Sequence, residues 1–375
     1  MARPIVEPSS PDYGLRRAFR ELLQGPAPFL ALAPMQDVTD ASFWALVQER
    51  GGADVYWTEY TRVHACSRPA REIVESILNN QTGRPVVVQM MGNDPEALVR
   101  TARSLEALPV AAIELNLGCP APVVYRKCAG GGLLRDPERL DKILGRLRDT
   151  VSLPLSLKTR LGFDSETHFD TLLAIYARHR PDLVVVHART VLQGYRLPVR
   201  YDLIRRAVER LPCPVLANGH IQEPAQALSI LAQTGARGCM IGRAAIRNPW
   251  IFQQIRRVQA GLPVYYPTGR EVLRYIEQLW TAYATPGHPE RLQTQRVKLF
   301  MNFLGEGLGP QAEQFLYFIR RVQTRLEFFD VCRRFLEHDE PLHLVPTAGK
   351  AVEAAPSAPS AQRFCENVLT GSPAP

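Results

Sequence analysis

Phe29-Leu30-Ala31-Leu32-Ala33-Pro34-Met35-Gln36 is an apolar run broken by a proline and ended by a polar glutamine. A doubly wound open sheet usually closes its first strand with G-x-G-x-x-G, and that position here reads Ala33-Pro34-Met35-Gln36. Working outward, short apolar or β-branched runs recur, each followed by a stretch with apolar spacing near three and four. This predicts strands at 29–34, 54–59, 85–90, 111–116, 153–159, 183–187, 214–218 and 238–242. Helices are predicted between them, among others at 94–108, 136–150, 201–211 and 223–233, with a short one around 15–23 ahead of the first strand. Asp94-Pro95 and Asp136-Pro137 each set an N-cap residue before a proline at the first helical position. Val86-Val87-Val88 and Val184-Val185-Val186 are continuously apolar, as strands buried on both faces should be. Eight strands alternating with helices predict a (β/α)8 barrel.

After Trp250 the alternation stops. From 271 to about 337 the pattern is helical, broken near Gly305–Pro310, and beyond Asp339 the chain turns rich in Ala, Pro and Ser. The expected class is α/β, a (β/α)8 TIM barrel followed by a C-terminal α-helical bundle domain. The expected divisions are an N-terminal extension at 1–26, the barrel at 27–260, the helical domain at 261–338 and a disordered tail at 339–375.

Of 375 residues, 46% are apolar and 22% charged, which excludes a disordered chain and allows a large core. The net charge of +8 is compatible with a polyanionic partner, and residues 255–335 hold twelve Lys or Arg against seven Asp or Glu. Seven cysteines show no C-x-x-C spacing, so neither a disulfide framework nor a zinc site is expected. The first ten residues lack the apolar segment of a signal peptide, and no apolar run approaches a membrane span. A soluble, cytoplasmic protein is expected.

Barrel chemistry sits at the C-terminal ends of the strands. There this sequence places Gln89, Asn116, Lys158 with Arg160, His187 with Arg189, Asn218-Gly219 and Gly242-Arg243. One such residue is more often structural than functional; six strands ending this way argue for a polar ligand, because burying polar groups without purpose costs stability. Gly219 and Gly242 follow the last two strands, where barrels often bind phosphate through peptide N–H groups, and Arg243 adds a positive charge. A phosphate-bearing cofactor with polar groups along a ring, such as flavin mononucleotide (FMN), would use the whole set. Cys119 lies on the loop after strand four, ahead of the run Ala129–Gly132, which implies either a mobile loop or close approach to a ligand. A thiol there could serve as nucleophile, redox partner or proton donor.

Taken in order, the motifs resemble those of the tRNA-dihydrouridine synthases. They are Ala33-Pro34-Met35 with Val38-Thr39-Asp40, Thr58-Glu59, Val88-Gln89, Glu114-Leu115-Asn116-Leu117-Gly118-Cys119-Pro120 and Gly130-Gly131-Gly132-Leu133-Leu134. Leu157-Lys158-Thr159-Arg160-Leu161-Gly162, Val186-His187-Ala188-Arg189-Thr190, Asn218-Gly219 and Ile241-Gly242-Arg243-Ala244 complete the set. The resemblance implies an FMN enzyme that takes hydride from NADPH and passes it to C6 of a uracil in tRNA, with Cys119 protonating C5. It places Pro34, Met35, Gln36, Gln89, Lys158, His187, Asn218, Gly219, His220, Gly242 and Arg243 at flavin contacts, and Asn116, Arg160 and Arg189 toward the base. Gln36-Asp37 and His220 depart from the residues common in the family, which suits contacts made by the backbone. Thr58 to Val63, Arg160 to Ser165 and Gln193 to Arg196 look like the bacterial branch acting at D-loop position sixteen. The helical domain matches a tRNA-binding bundle, and a monomer without membrane contact is expected. An FMN barrel acting on a free pyrimidine, of dihydroorotate type, would share the flavin positions but not the basic helical domain. A non-catalytic tRNA binder would have no use for Cys119 and Lys158.

Overall fold

The computed structural model describes residues 11–284 and 287–346. Its strands are β1 (Phe29–Leu32), β2 (Val55–Arg62), β3 (Val86–Met91), β4 (Ala112–Leu117), β5 (Leu155–Arg160), β6 (Leu183–His187), β7 (Val215–Asn218) and β8 (Gly238–Ile241). They form a closed parallel barrel in sequence order, and β8 returns to β1 with Phe29 opposite Gly238 and Leu32 opposite Ile241. Only glycine fits at 238, because a Cβ there would lie 2.0 Å from the carbonyl oxygen of Phe29. All eight predicted strands are present. β2 runs on to Arg62 because its ladder with β3 shifts register between Trp57 and Tyr60, and β5 takes in Arg160 as its last residue.

Helices alternate with the strands as their spacing predicts. Asp94 and Asp136 cap Pro95–Glu106 and Pro137–Thr150, accepting from the N–H of Ala97 at 2.8 Å and of Arg139 at 3.0 Å. Helix Pro11–Gln24 closes the end of the barrel where the strands begin. Its Phe19 is fully buried against an interior cluster with Phe29, Trp57 and Val87, a burial that contributes about 2–3 kcal/mol. Arg16 binds the carbonyls of Glu106, Leu108 and Val110 there.

Beyond β8 come helices Arg243–Arg247, Ile251–Gln259, Gly269–Tyr283, Glu290–Leu304, Ala312–Ile319 and Arg325–Leu336. Two 3-10 turns, Gly305–Gly307 and Gly309–Gln311, make the break expected near Gly305. Thr268 with Glu271, and Thr324 with Glu327, form reciprocal caps that fix two helix starts. These helices share one apolar core with the barrel. Phe300 packs on Phe43 with ring centroids 5.6 Å apart, and the Tyr283 hydroxyl donates to Asp40 at 2.6 Å. Arg247 pairs with Glu306 at 2.9 Å.

Residues 339–346, expected to belong to the disordered tail, are instead held against the fold. Pro341 bridges to Thr268, Val345 bridges to Leu308, and between them Leu344 is buried, its backbone lying close against Gly307. The rest of that expected tail, from 347, lies outside the described residues, as do residues 1–10 of the expected extension. Among the described residues no helix is long and apolar enough to cross a membrane.

Candidate active site at the barrel mouth

The closed ring brings the strand ends onto one surface. Lys158, two residues before the end of β5, donates from Nζ to Asn218 Oδ1 on β7 at 3.1 Å, and Asn218 Nδ2 is anchored to the Met240 carbonyl at 2.7 Å. Gln89 on β3 and Asn116 on β4 meet in a buried contact, Asn116 Nδ2 donating to Gln89 Oε1 at 2.7 Å. Asn116 Oδ1 accepts from the peptide N–H groups of Gly118 and Cys119, each at 3.0 Å. That double contact shapes the turn presenting Cys119. Gly130 packs beneath it with φ +54°, where a Cβ would stand 3.0 Å from Cys119 Cβ. The glycine run is buried, and its close contacts are with Cys119, Tyr125 and Val191 of the chain itself.

His187, Gly219, Gly242 and Met35 form a second group. A Cβ at Gly219 would come within 3.2 Å of His187 Nε2, and one at Gly242 within 3.2 Å of Met35 Sδ. Pro34 is half-buried beside Met35, whose N–H is held by Thr39 Oγ1 at 2.8 Å. Gln36 is exposed; so is His220, held in left-handed backbone at φ +53° with its ring against Gln222. Arg160 is drawn into structure: its Nε donates to the Gly118 carbonyl at 2.8 Å, and its Nη1 to those of Thr190 and Gly194 at 3.0 and 2.9 Å. Arg189 turns to the Leu197 carbonyl, leaving its buried Nη1 without a partner. Arg243 lies 4.0 Å over the Tyr195 ring, which Arg160 also approaches at 5.4 Å.

Four cations therefore share one mouth, and their effects on each other are visible. Burial, then Arg160, Lys158, Arg189 and Arg243, hold His187 far below the usual histidine range, so it is neutral. Burial, with Arg160, pushes Lys158 down to about 8 while Glu114 pulls it up. Arg189 falls to about 10 through burial and its neighbours Arg243 and Arg160. Such a field favours an anion, and the unpartnered His187 Nδ1 and Arg189 Nη1 are polar atoms that a ligand can satisfy. Burial also raises the Cys119 thiol, against the opposing pull of Arg160, Arg62 and Lys158, so it stays protonated at neutral pH.

Three groups had no role in the sequence reading. Glu114, wholly buried mid-strand, accepts from Gln89 Nε2 at 2.6 Å and from Ser156 Oγ at 2.8 Å. A charged residue inside the run Ala112-Ile113-Glu114-Leu115 was the available signal. Glu59, pushed up to about 7 chiefly by burial, accepts from the Val38 N–H at 3.1 Å and so braces the first loop. Tyr195 meets His187 edge to face at 5.9 Å, a contact between a strand end and a loop that no spacing announces.

Residues 31–301 match the family model described as Dihydrouridine synthase (Dus). A tRNA-dihydrouridine(16) synthase from Cupriavidus necator is 34% identical over 310 residues, covering 80% of this chain and 94% of that protein. One from Neisseria meningitidis serogroup A is 30% identical over 323 residues, covering 83% and 95%. A tRNA-dihydrouridine synthase B from Xanthomonas axonopodis is 32% identical over 306 residues, covering 80% and 90%. Among solved structures, a 2-naphthoyl-CoA reductase complex aligns with a TM-score of 0.51 at 13% identity over 65% of this chain and 53% of that one, a likeness of fold.

Proposed function

The chain belongs to the dihydrouridine synthase family, and from that premise we propose that it reduces a uridine of tRNA, at position sixteen of the D-loop, to dihydrouridine. The observation that carries the reading is a protonated, loop-fixed thiol, Cys119, beside a mouth lined by Lys158, Arg160, Arg189 and Arg243.

The residues present fit FMN. The cationic field and the unpartnered His187 Nδ1 and Arg189 Nη1 suit a phosphate-bearing, polar ring system, and Gly219 and Gly242 let the backbone pack closely on His187 and Met35. Gln89, Lys158, His187, Asn218, Gly219, Gly242 and Arg243 would hold it together with Pro34 and Met35, and Gln36 and His220 would contribute backbone. When bound, FMN supplies hydride for uracil C6, drawn in turn from NADPH.

Addition at C6 leaves negative charge on C5 and the adjoining carbonyl. Cys119 Sγ–H gives its proton to C5, so the base gains two hydrogens, and the thiolate recovers a proton from water. General acid help of this kind is worth about 10²–10⁴-fold. Asn116, with Arg160 and Arg189, lines the space for the base, and the positive charge of the two arginines favours the electron-rich form. The uridine must leave its stack to reach the mouth. The basic excess over 255–335 supports phosphate contacts from a tRNA-binding bundle at 261–338, appended to a barrel at 27–260. A monomer working in the cytoplasm completes the reading.

The test is nucleoside mass spectrometry of tRNA lacking dihydrouridine after incubation with the protein and NADPH. One uridine gaining two hydrogens, mapped to position sixteen, is expected. Cys119→Ala should still bind tRNA while losing at least about 10²-fold in turnover, and full turnover in that variant sinks the acid assignment.

A further inference from the structure

We propose that Glu114 is a positioning residue for Cys119, acting through an unbroken line of hydrogen bonds that crosses β5, β4 and β3 and returns to the Cys119 turn. The line runs from Ser156 Oγ to Glu114 Oε2 at 2.8 Å, then to Glu114 Oε1 from Gln89 Nε2 at 2.6 Å. It continues into Gln89 Oε1 from Asn116 Nδ2 at 2.7 Å, and ends at Asn116 Oδ1, which accepts from the Gly118 and Cys119 N–H groups. The catalytic role of the thiol rests on the function proposed above; the line itself does not.

Its direction is set from both ends. Peptide N–H groups can only donate, so Asn116 must turn its oxygen to the Cys119 turn and its nitrogen to Gln89. Gln89 must then offer its oxygen to Asn116 and its nitrogen to Glu114. An acceptor at 114 is what makes this arrangement complete. Gln89 and Glu114 are fully buried and Asn116 nearly so, and no solvent is at hand to replace a lost partner. Without the acceptor, the Gln89 amide has no reason to keep its orientation, and the reversed amide would face Asn116 Nδ2 with a donor. The Cys119 turn would then lose its anchor.

Two substitutions separate this from a packing role. Glu114→Gln can still accept from Gln89 through its oxygen and donate to Ser156 Oγ through its nitrogen, so the line survives. Glu114→Leu keeps bulk and removes the acceptor. In the flavin-containing protein, without RNA or NADPH, the rate of Cys119 alkylation by iodoacetamide is followed by peptide mass spectrometry, with exposed Cys66 as internal standard. A rise of about tenfold or more relative to Cys66 is expected for Glu114→Leu, and less than about threefold for Glu114→Gln. An unchanged rate in Glu114→Leu, or equal rises in both, overturns the proposal. Should Glu114→Leu fail to fold, Gln89→Glu faces one carboxylate with another and breaks the line, whereas Gln89→Glu with Glu114→Gln rebuilds it. Alkylation raised in the single variant and restored in the pair is expected; no restoration overturns the proposal. Turnover on tRNA is read alongside. If the parent protein itself leaves tRNA unreduced, the function reading fails, and the alkylation comparison still decides the role of Glu114.

Discussion

Replacing Lys158 with Met should stabilise the flavin-free protein at pH 7 while abolishing its retention of flavin. Burial is the main reason that Lys158 titrates at about 8 instead of its ordinary 10.5, with Arg160 adding to the shift and Glu114 opposing it. The sign follows from proton counts. Between those two values the unfolded chain holds the proton and the folded one releases it, so stability rises with pH across that window. Below pH 8 both states carry the ammonium, and folding bears its full cost. A shift of this size corresponds to about 3 kcal/mol, which the partial exposure of Lys158 at the mouth reduces to about 2 kcal/mol through solvent screening. Against this, Met withdraws the 3.1 Å donor from Asn218 Oδ1, costing about 1 kcal/mol. The net expectation is a gain of about 1 kcal/mol at pH 7, shrinking as pH rises and reversing above about pH 10. Urea unfolding of both proteins, stripped of flavin, at pH 7, 8.5 and 10 measures it. A variant less stable than the parent at pH 7, or a gap that ignores pH, refutes the reasoning.

Cys119 should be alkylated along a pH profile whose midpoint lies above 9.0 in the flavin-free protein, since burial raises its thiol; a midpoint near 8 contradicts the protonated acid. Gly130→Ala places a Cβ at φ +54°, 2.9 Å from Val124 Cγ1 and 3.0 Å from Cys119 Cβ. It should cost about 2–4 kcal/mol and lower turnover about 10²-fold, and calorimetry showing parental stability would count against the packing described. Phe300→Ala should remove about 3–5 kcal/mol from a single cooperative transition. Two separate transitions in the calorimeter would mean that the helices beyond β8 do not share the barrel's core.

The sequence exposed most of this architecture because barrel strands are buried on both faces, so Val86 to Val88 and Val184 to Val186 stand out as uninterrupted apolar runs. Gln89, Lys158, His187 and Asn218 were legible for a related reason: each is a polar residue that breaks such a run at its end. Glu114 escaped because it sits mid-strand, where only a register puts Gln89 and Ser156 within reach. Tyr195 escaped because its contacts with Arg160, Arg243 and His187 join a loop to three separate strand ends. Arg160 was read as facing a base, and strand ends do mark the mouth. What its guanidinium touches depends on where the Gly118, Thr190 and Gly194 carbonyls come to lie. Leu344 shows the same limit from the other side. Asp339 to Pro346 has the composition of a tail, yet the bridges from Pro341 and Val345 and the buried Leu344 between them keep it packed.

The pairing of Phe29 with Gly238 also dictates when this protein can exist at all. A ribosome working at about 5–20 residues per second takes roughly 10–40 s to travel between those two positions. Throughout that interval β1 has one edge without a partner, and no intermediate length of chain offers a finished ring. Early packing of Phe19 against the Phe29 and Trp57 side chains gives the nascent chain something to settle on while it waits. Truncations ending before Ile241 should therefore collect with chaperones or in aggregates, and the first soluble products should be those that carry β8 clear of the exit tunnel.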